Sequence, residues 1–264
     1  MYSITEIKKL FDKYEVGPSK RFGQNFLIDL NILNKIVKVF DIKDQDVIEV
    51  GPGLGSLTHM ILKEAKTLTS YEIDEDMIRV LKSEINNEKF TLVEGDFLRA
   101  DLEWEGKKIC VANIPYNITS DILFKLFANK DKVSKAVLMV QKEVAQRLTA
   151  KIGAKDYSKL TVTANYFANV KYEFTVPANA FLPAPKVDSA IISLDFKDVE
   201  TDHDFVKFVK RCFAMRRKTL YNNLKQFIDA DKAKEAILSI SDNESIRPQE
   251  LSLNNYIKLF NGVK

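Results

Sequence analysis

Val47-Ile48-Glu49-Val50-Gly51-Pro52-Gly53-Leu54-Gly55 decides the fold of this chain. Residues 47–50 read as a short buried strand. The glycines that follow let the backbone turn sharply and approach a ligand closely, and residues 57–64 then read as a helix. Moving outward, apolar runs at 68–73, 90–93, 109–112 and 136–140 predict further buried strands. Helical patterns at 76–85, 118–127, 144–149 and 160–167 fall around them. Residues 170–176 and 190–196 read as closing strands. Between them a loop carries Pro177, Pro183 and Pro185, which allows an antiparallel ending. Alternation of this kind predicts a doubly wound, mostly parallel α/β sheet. From Asp202 the pattern changes: 203–215, 219–227, 230–240 and 249–260 all read as helices. The expected division is therefore 1–200 for the α/β domain and 201–264 for a small all-α domain.

Composition agrees with two unequal domains. The chain has 264 residues, 45% hydrophobic and 29% charged, enough for a domain of roughly 200 residues and a smaller one. No apolar run approaches the ~18 residues needed to span a membrane, and residues 1–6 lack the basic start and apolar stretch of a secretory signal. Cys110 lies in an apolar strand far in sequence from Cys212. A buried free thiol at Cys110 and a cytoplasmic location are expected. His59 and His203 are the only histidines, so no metal is expected. The net charge of +3 is uneven. Residues 1–201 carry 28 Lys/Arg and 29 Asp/Glu, whereas 202–264 carry 12 and 8. A basic tail points to a polyanionic partner.

The glycine turn reads G-x-G-x-G rather than G-x-G-x-x-G. The displaced third glycine favours a nucleoside cofactor, S-adenosylmethionine, over a dinucleotide. It also counts, with the lack of a proton-relay constellation, against a nicotinamide-dependent oxidoreductase. Glu72 lies 21 residues after Gly51, where an acidic side chain accepts from ribose hydroxyls. Asp96, just after the third strand, is placed to accept from an adenine amine.

Asn113-Ile114-Pro115-Tyr116 follows the strand at 109–112. An amide, a proline and an aromatic at a strand's carboxyl end suit a flat, amine-bearing ring. The amide oxygen and the carbonyl of Ile114 or Pro115 can accept from the amine, and Tyr116 offers a face for stacking. Together with the glycine turn, this points to chemistry on the amino group of a nucleobase.

These residues resemble the ribosomal RNA adenine dimethyltransferases. The resemblance runs through Lys20-Arg21-Phe22-Gly23-Gln24-Asn25-Phe26-Leu27, the glycine turn, Glu72, Gly95-Asp96 and Asn113 to Tyr116. It continues through Phe181-Leu182-Pro183-Ala184-Pro185-Lys186-Val187-Asp188-Ser189-Ala190 and the tail motifs Arg216-Arg217-Lys218-Thr219-Leu220 and Asn222-Asn223-Leu224. It implies a Rossmann-like class I methyltransferase sheet. Within the family the chain looks most like the branch that dimethylates two adjacent adenosines near the 3′ end of small-subunit (16S) ribosomal RNA. The branch that methylates large-subunit (23S) RNA and confers macrolide resistance is the near alternative. A non-catalytic RNA-binding assembly factor is the alternative of another class.

The resemblance also implies roles. Asn25, Leu27, Gly51, Gly53, Glu72, Asp96 and Asn113 would form the cofactor site. Asn113 and the Ile114–Pro115 backbone would hold the target amine, with Tyr116 and Phe181 on the two faces of the base. Lys20, Arg21, Arg211, Arg216, Arg217 and Lys218 are expected to meet RNA phosphates. The expected partner is the small-subunit particle, bound by a monomer.

Overall fold

The computed structural model describes residues 4–19 and 21–263. Its first elements are α1 (Ile4–Tyr14), β1 (Phe26–Leu27) and α2 (Leu30–Val37). Asp29 caps α2: its carboxylate accepts from the backbone of Asn31 and Ile32, supplying partners that a helix start otherwise lacks. The alternating region follows as β2 (Asp46–Val50), α3 (Ser56–Glu64), β3 (Thr67–Glu72), α4 (Glu75–Glu84), β4 (Phe90–Glu94) and β5 (Lys108–Asn113). It continues with α5 (Thr119–Ala128), β6 (Val133–Gln141), α6 (Lys142–Leu148), α7 (Lys159–Phe167), β7 (Ala168–Val176), β8 (Phe181–Leu182) and β9 (Ser189–Phe196).

Seven of these strands form one sheet in the order β4-β3-β2-β5-β6-β9-β7. β4, β3, β2, β5 and β6 run parallel to their neighbours, and β9 pairs antiparallel with β6. The expected antiparallel ending is present. The central strands read as unbroken apolar runs because both faces are covered: Val47, Ile48, Cys110 and Val111 are fully buried. Strand order reverses between β2 and β5, so their carboxyl ends frame the crevice where such sheets bind ligands.

Four elements were not expected from the sequence. α1 buries only Ile7 and Leu10, and α2 is eight residues long. β1 and β8 are two residues each, paired antiparallel through Phe26↔Leu182 and Leu27↔Phe181. Periodicity cannot register a two-residue strand.

The chain divides into two compact units, 1–145 with 171–196, and 146–170 with 197–264. The second takes in the stretch 146–170, which the sequence reading gave to the first domain. The first unit carries 23 Lys/Arg and 26 Asp/Glu, the second 17 and 11. The charge contrast is therefore wider than a cut near residue 200 suggests. Besides α7, the second unit holds α8 (His203–Cys212), α9 (Leu220–Leu224), α10 (Ala230–Leu238) and α11 (Leu253–Val263). Phe205, Phe208, Leu220, Tyr256 and Phe260 fill its core with Tyr157 and Val162 from the 146–170 stretch. The Tyr157 hydroxyl donates to the Leu251 carbonyl at 2.7 Å, so that segment belongs here by both packing and hydrogen bonding. No described helix is long and apolar enough to cross a membrane.

Candidate cofactor and base site

A cavity of about 240 Å³ opens at the carboxyl ends of β2, β3, β4 and β5, with residues 21–27 along another wall. Nine of the cofactor and base residues picked out by sequence line it together: Asn25, Leu27, Gly51, Gly53, Glu72, Asp96, Asn113, Pro115 and Tyr116. Each strand delivers its polar residue to the same place because parallel strands end on one edge of the sheet.

The glycine turn is held open by backbone geometry. Gly53 has φ +57°, and a Cβ there would lie 3.1 Å from the Phe26 ring. Gly55 has φ +84°, and a Cβ would press at 3.1 Å on Leu81 and Ile85. A side chain at either position meets both strain and contact. Glu72 ties this turn down. Its carboxylate accepts from Gly53 N–H at 2.9 Å and from Ile73 and Asp74 N–H at 2.9 Å each. Burial raises its pKa despite those three bonds.

Glu49 is 1% exposed and also lines the cavity. One carboxyl oxygen accepts from the Thr58 and Ser70 hydroxyls at 2.8 Å each. The other has no protein partner among the described residues, and neither does the Ser56 hydroxyl at the start of α3. Burial pushes the Glu49 carboxyl up to about 7, against the two hydroxyl bonds and aided by the nearby Glu72. Buried polar atoms without partners are rare in folded proteins. Two on one cavity, beside the carboxylates of Glu72 and Asp96, fit a polar ligand rich in donors and carrying positive charge.

Apolar walls complete this half. Ile73 lines the cavity and is half exposed, and Phe97 packs edge-on against Tyr71 with ring centroids 5.2 Å apart. The sequence reading placed Ile73 in a strand and missed this role. Its position next to Glu72 is the signal that would have found it. Asp96 spends one oxygen on its own turn, accepting from Leu98 N–H at 2.9 Å, and its other oxygen lies 3.6 Å from Arg99.

At the other half, the Asn113 amide nitrogen donates to the Asn25 carbonyl at 3.3 Å. That bond fixes the carboxamide and leaves its oxygen as the accepting end. The Pro115 carbonyl already accepts from Ile118 N–H at 3.2 Å and the Thr119 hydroxyl at 3.5 Å. Of the two backbone acceptors expected here, the Ile114 carbonyl is thus the less committed. Tyr116 is half-buried, and its hydroxyl meets the Ser189 hydroxyl at 2.5 Å. This contact anchors the tip of the ring. Burial raises the Tyr116 pKa, against the Ser189 bond.

Phe181 stands apart from these residues. It was expected to cover the second face of a base, but it is 3% exposed and packs in the main core with Leu27, Leu33 and Val176. It pairs with Leu27 in the β1–β8 ribbon and is not among the residues that line the cavity. Phe22, half-buried with the Arg21 guanidinium 5.3 Å from its ring centre, does line it.

Of the basic residues, Lys20 lies outside the described residues, and Arg21 is exposed at the cavity. In the second unit Arg211, Arg216, Arg217 and Lys218 are exposed. The turn after α8 is organised by Asn223, which is 1% exposed. It accepts from Met215 N–H at 2.7 Å and donates to the carbonyls of Met215 and Thr219 at 3.2 and 3.0 Å. The tail motif is therefore one device, a buried amide holding a turn that displays three cations. Arg216 also donates to the Lys155 carbonyl, and Arg211 lies 4.0 Å from the centre of the Phe227 ring.

Residues 18–262 match the family model described as ribosomal RNA adenine dimethylase. The chain is 45% identical over 244 residues to the ribosomal RNA small subunit methyltransferase A of Mycoplasma mobile, covering 91% of this chain and 96% of that one. The solved structure of a dimethyladenosine transferase from Plasmodium falciparum superposes with a TM-score of 0.79 at 30% identity, covering 89% of this chain and 95% of that one. The 23S rRNA methyltransferase ErmE superposes with a TM-score of 0.71 at 25% identity, covering 90% and 99%.

Proposed function

The chain belongs to the ribosomal RNA adenine dimethylase family, and on that premise we propose that it dimethylates the exocyclic amines of two adjacent adenosines near the 3′ end of small-subunit ribosomal RNA. S-adenosylmethionine is the methyl donor; when bound, it supplies an electrophilic methyl group on a sulfonium. The single observation that carries this reading is the convergence, in one cavity, of the glycine turn and Glu72 with Asn113 and Tyr116. The 45% identity to a small-subunit enzyme, against 25% to a large-subunit one, favours the small-subunit substrate.

The residues divide the work. Glu72 would accept from a ribose hydroxyl with its one remaining lone-pair site, Asp96 would accept from the cofactor's adenine amine, and Ile73 with Phe97 would form the apolar wall beside it. An adenine amine is a poor nucleophile because its lone pair is delocalised into the ring. Hydrogen bonds from that amine to the Asn113 oxygen and the Ile114 carbonyl favour a tetrahedral nitrogen, and they stabilise the positive charge that grows on it. The methylated ammonium is acidic and loses its proton to water, so no side-chain base is required. Tyr116 stacks on the base once it has left its helix, contributing ~1–3 kcal/mol.

Arg216, Arg217 and Lys218 contact phosphates and position the RNA by shape and charge. Reversing the charge of Arg216 and Arg217 weakens RNA binding and flattens its salt dependence; unchanged affinity would remove this turn from the RNA surface. The protein acts in the cytoplasm as a monomer on small-subunit particles. The decisive test of the whole reading is tritium transfer from labelled S-adenosylmethionine to unmodified small-subunit particles, with the labelled nucleotides mapped. Label on two adjacent adenosines near the 3′ end is expected, and no label, or label elsewhere, contradicts the proposal.

A further inference from the structure

We propose that Gln24 is a positioning residue that latches residues 21–27 across the cofactor, with Asp74 as its catch. This rests on the methyltransferase reading above.

The segment has two fixed flanks. On one side α1 is tied to α4: the Lys13 ammonium and the Tyr14 hydroxyl both donate to Glu84, at 2.7 and 2.6 Å, and Arg79 donates to the Tyr14 carbonyl at 2.8 Å. On the other, β1 pairs with β8. Between these flanks residues 21–27 line the cavity, with Phe26 in contact range of Gly53 and the Asn25 carbonyl holding Asn113.

Gln24 fastens that crossing with both ends of its amide. Its oxygen accepts from Ser19 N–H at 2.8 Å, and its nitrogen donates to an Asp74 carboxylate oxygen at 2.7 Å. Asp74 is 6% exposed. Its other oxygen caps α4 by accepting from Asp76 N–H at 3.0 Å, and its own N–H donates to Glu72 at 2.9 Å. One side chain thus links the crossing segment to the carboxylate assigned to the ribose.

The linkage has a functional consequence. Dimethylating two adenosines takes four methyl transfers, so spent cofactor leaves and fresh cofactor enters repeatedly on one substrate. Opening the crossing segment breaks the Gln24–Asp74 bond. The strength of that bond therefore sets cofactor residence.

The geometry supplies a test by exchange of partners. Gln24→Glu sets two carboxylates face to face. Asp74→Asn keeps the α4 cap, since asparagine caps helices as well as aspartate, but sets two amide donors face to face. In the double variant the carboxylate at position 24 still accepts from Ser19 N–H. It also accepts from the new amide at position 74, so every bond is restored. Calorimetry with S-adenosylmethionine and S-adenosylhomocysteine reads the result, and steady-state rates on small-subunit particles accompany it. Each single variant should weaken cofactor binding ~tenfold, as expected for a hydrogen bond to a charged group. KM for the cofactor should rise and KM for the particle should stay unchanged. The double variant should bind within about twofold of the parent. Gln24→Ala, which removes the bond without adding charge, should fall with the single variants and guards against a misfolded carboxylate pair. Single variants that bind like the parent, or a double variant no better than the weaker single one, overturn the latch. A parent protein that binds neither compound overturns the methyltransferase reading instead.

Discussion

β3 and β5 each end on a polar residue that faces the same cavity, and the two residues are used in opposite ways. Glu72, 5% exposed, spends its carboxylate on three backbone N–H groups of the glycine turn and the start of α4. Asn113, partly exposed, makes one hydrogen bond, at 3.3 Å, to the Asn25 carbonyl. The comparison teaches how a shared scaffold separates binding from chemistry. A side chain that builds the site spends most of its acceptor capacity on the protein's own backbone, whereas one that works on the substrate keeps its acceptor uncommitted.

The largest expected effect breaks the first half of that contrast. Glu72→Ala strands three buried or half-buried N–H groups, each worth ~1.5–3 kcal/mol when bonded to a charged acceptor and partly recovered by water, for about 4 kcal/mol in all. Thermal unfolding temperature and cofactor affinity should fall together. A variant that loses affinity with an unchanged unfolding temperature would mean that Glu72 is a ligand residue only. Next comes Asn113→Ala. Removing one preorganised polar group from a transition state costs ~10²–10³-fold. That loss should appear in methyl transfer at saturating cofactor, with the unfolding temperature nearly unmoved. Parallel losses in stability would place Asn113 in the same class as Glu72.

How much of this contrast the sequence carried follows from the physics of each element. The central sheet was legible because buried parallel strands are apolar without interruption, as 47–50 and 109–112 are, and because glycines mark the turn. The polar strand ends were legible because Glu72 and Asn113 interrupt apolar runs. The surroundings of Phe181 were not legible, since the same aromatic residue can wall a cavity or fill a core, and its packing with Leu27, Leu33 and Val176 depends on a two-residue strand pairing that no periodicity records. The reach of the second unit back to residue 146 was not legible either. α7 has the same apolar pattern whichever core it joins, and contacts such as Tyr157 with Leu251 span 94 positions. Gln24 stands in the motif at 20–27, but its partners were not legible there, because its amide is shared between Ser19 and Asp74, 50 positions away.

Glu49 sharpens the contrast from β2. It is the buried carboxyl bonded by hydroxyls rather than by backbone N–H, and it is held at about 7 against an ordinary value of 4.5. Between those two pH values the folded protein holds a proton that the unfolded chain releases. Stability contributed by this group is therefore greatest at the acid end and falls as pH rises through the window. Its full size is on the order of 3 kcal/mol. Glu49→Gln keeps an oxygen for Thr58 and Ser70 and cannot ionise. Denaturant unfolding at about pH 5 and about pH 8, either side of most of that window, should show the parent losing more stability than the variant. Equal losses in the two proteins would mean that Glu49 is ionised throughout.

Tyr116→Phe tests the finest division, between the ring and its hydroxyl. The ring is assigned to the base and the hydroxyl to Ser189, at 2.5 Å. Losing the hydroxyl should cost about 1 kcal/mol, a net hydrogen bond, and so roughly fivefold in methyl transfer through a less well-held ring. Cofactor affinity should not move, because the Ser189 contact lies at the base end. Ser189→Ala should reproduce the same loss, and the two changes combined should cost little more than either alone, since they remove one bond. A loss for Tyr116→Phe near that of Asn113→Ala would shift the work from the aromatic face to the phenol. The base end would then hold a second polar side chain acting on the amine beside Asn113.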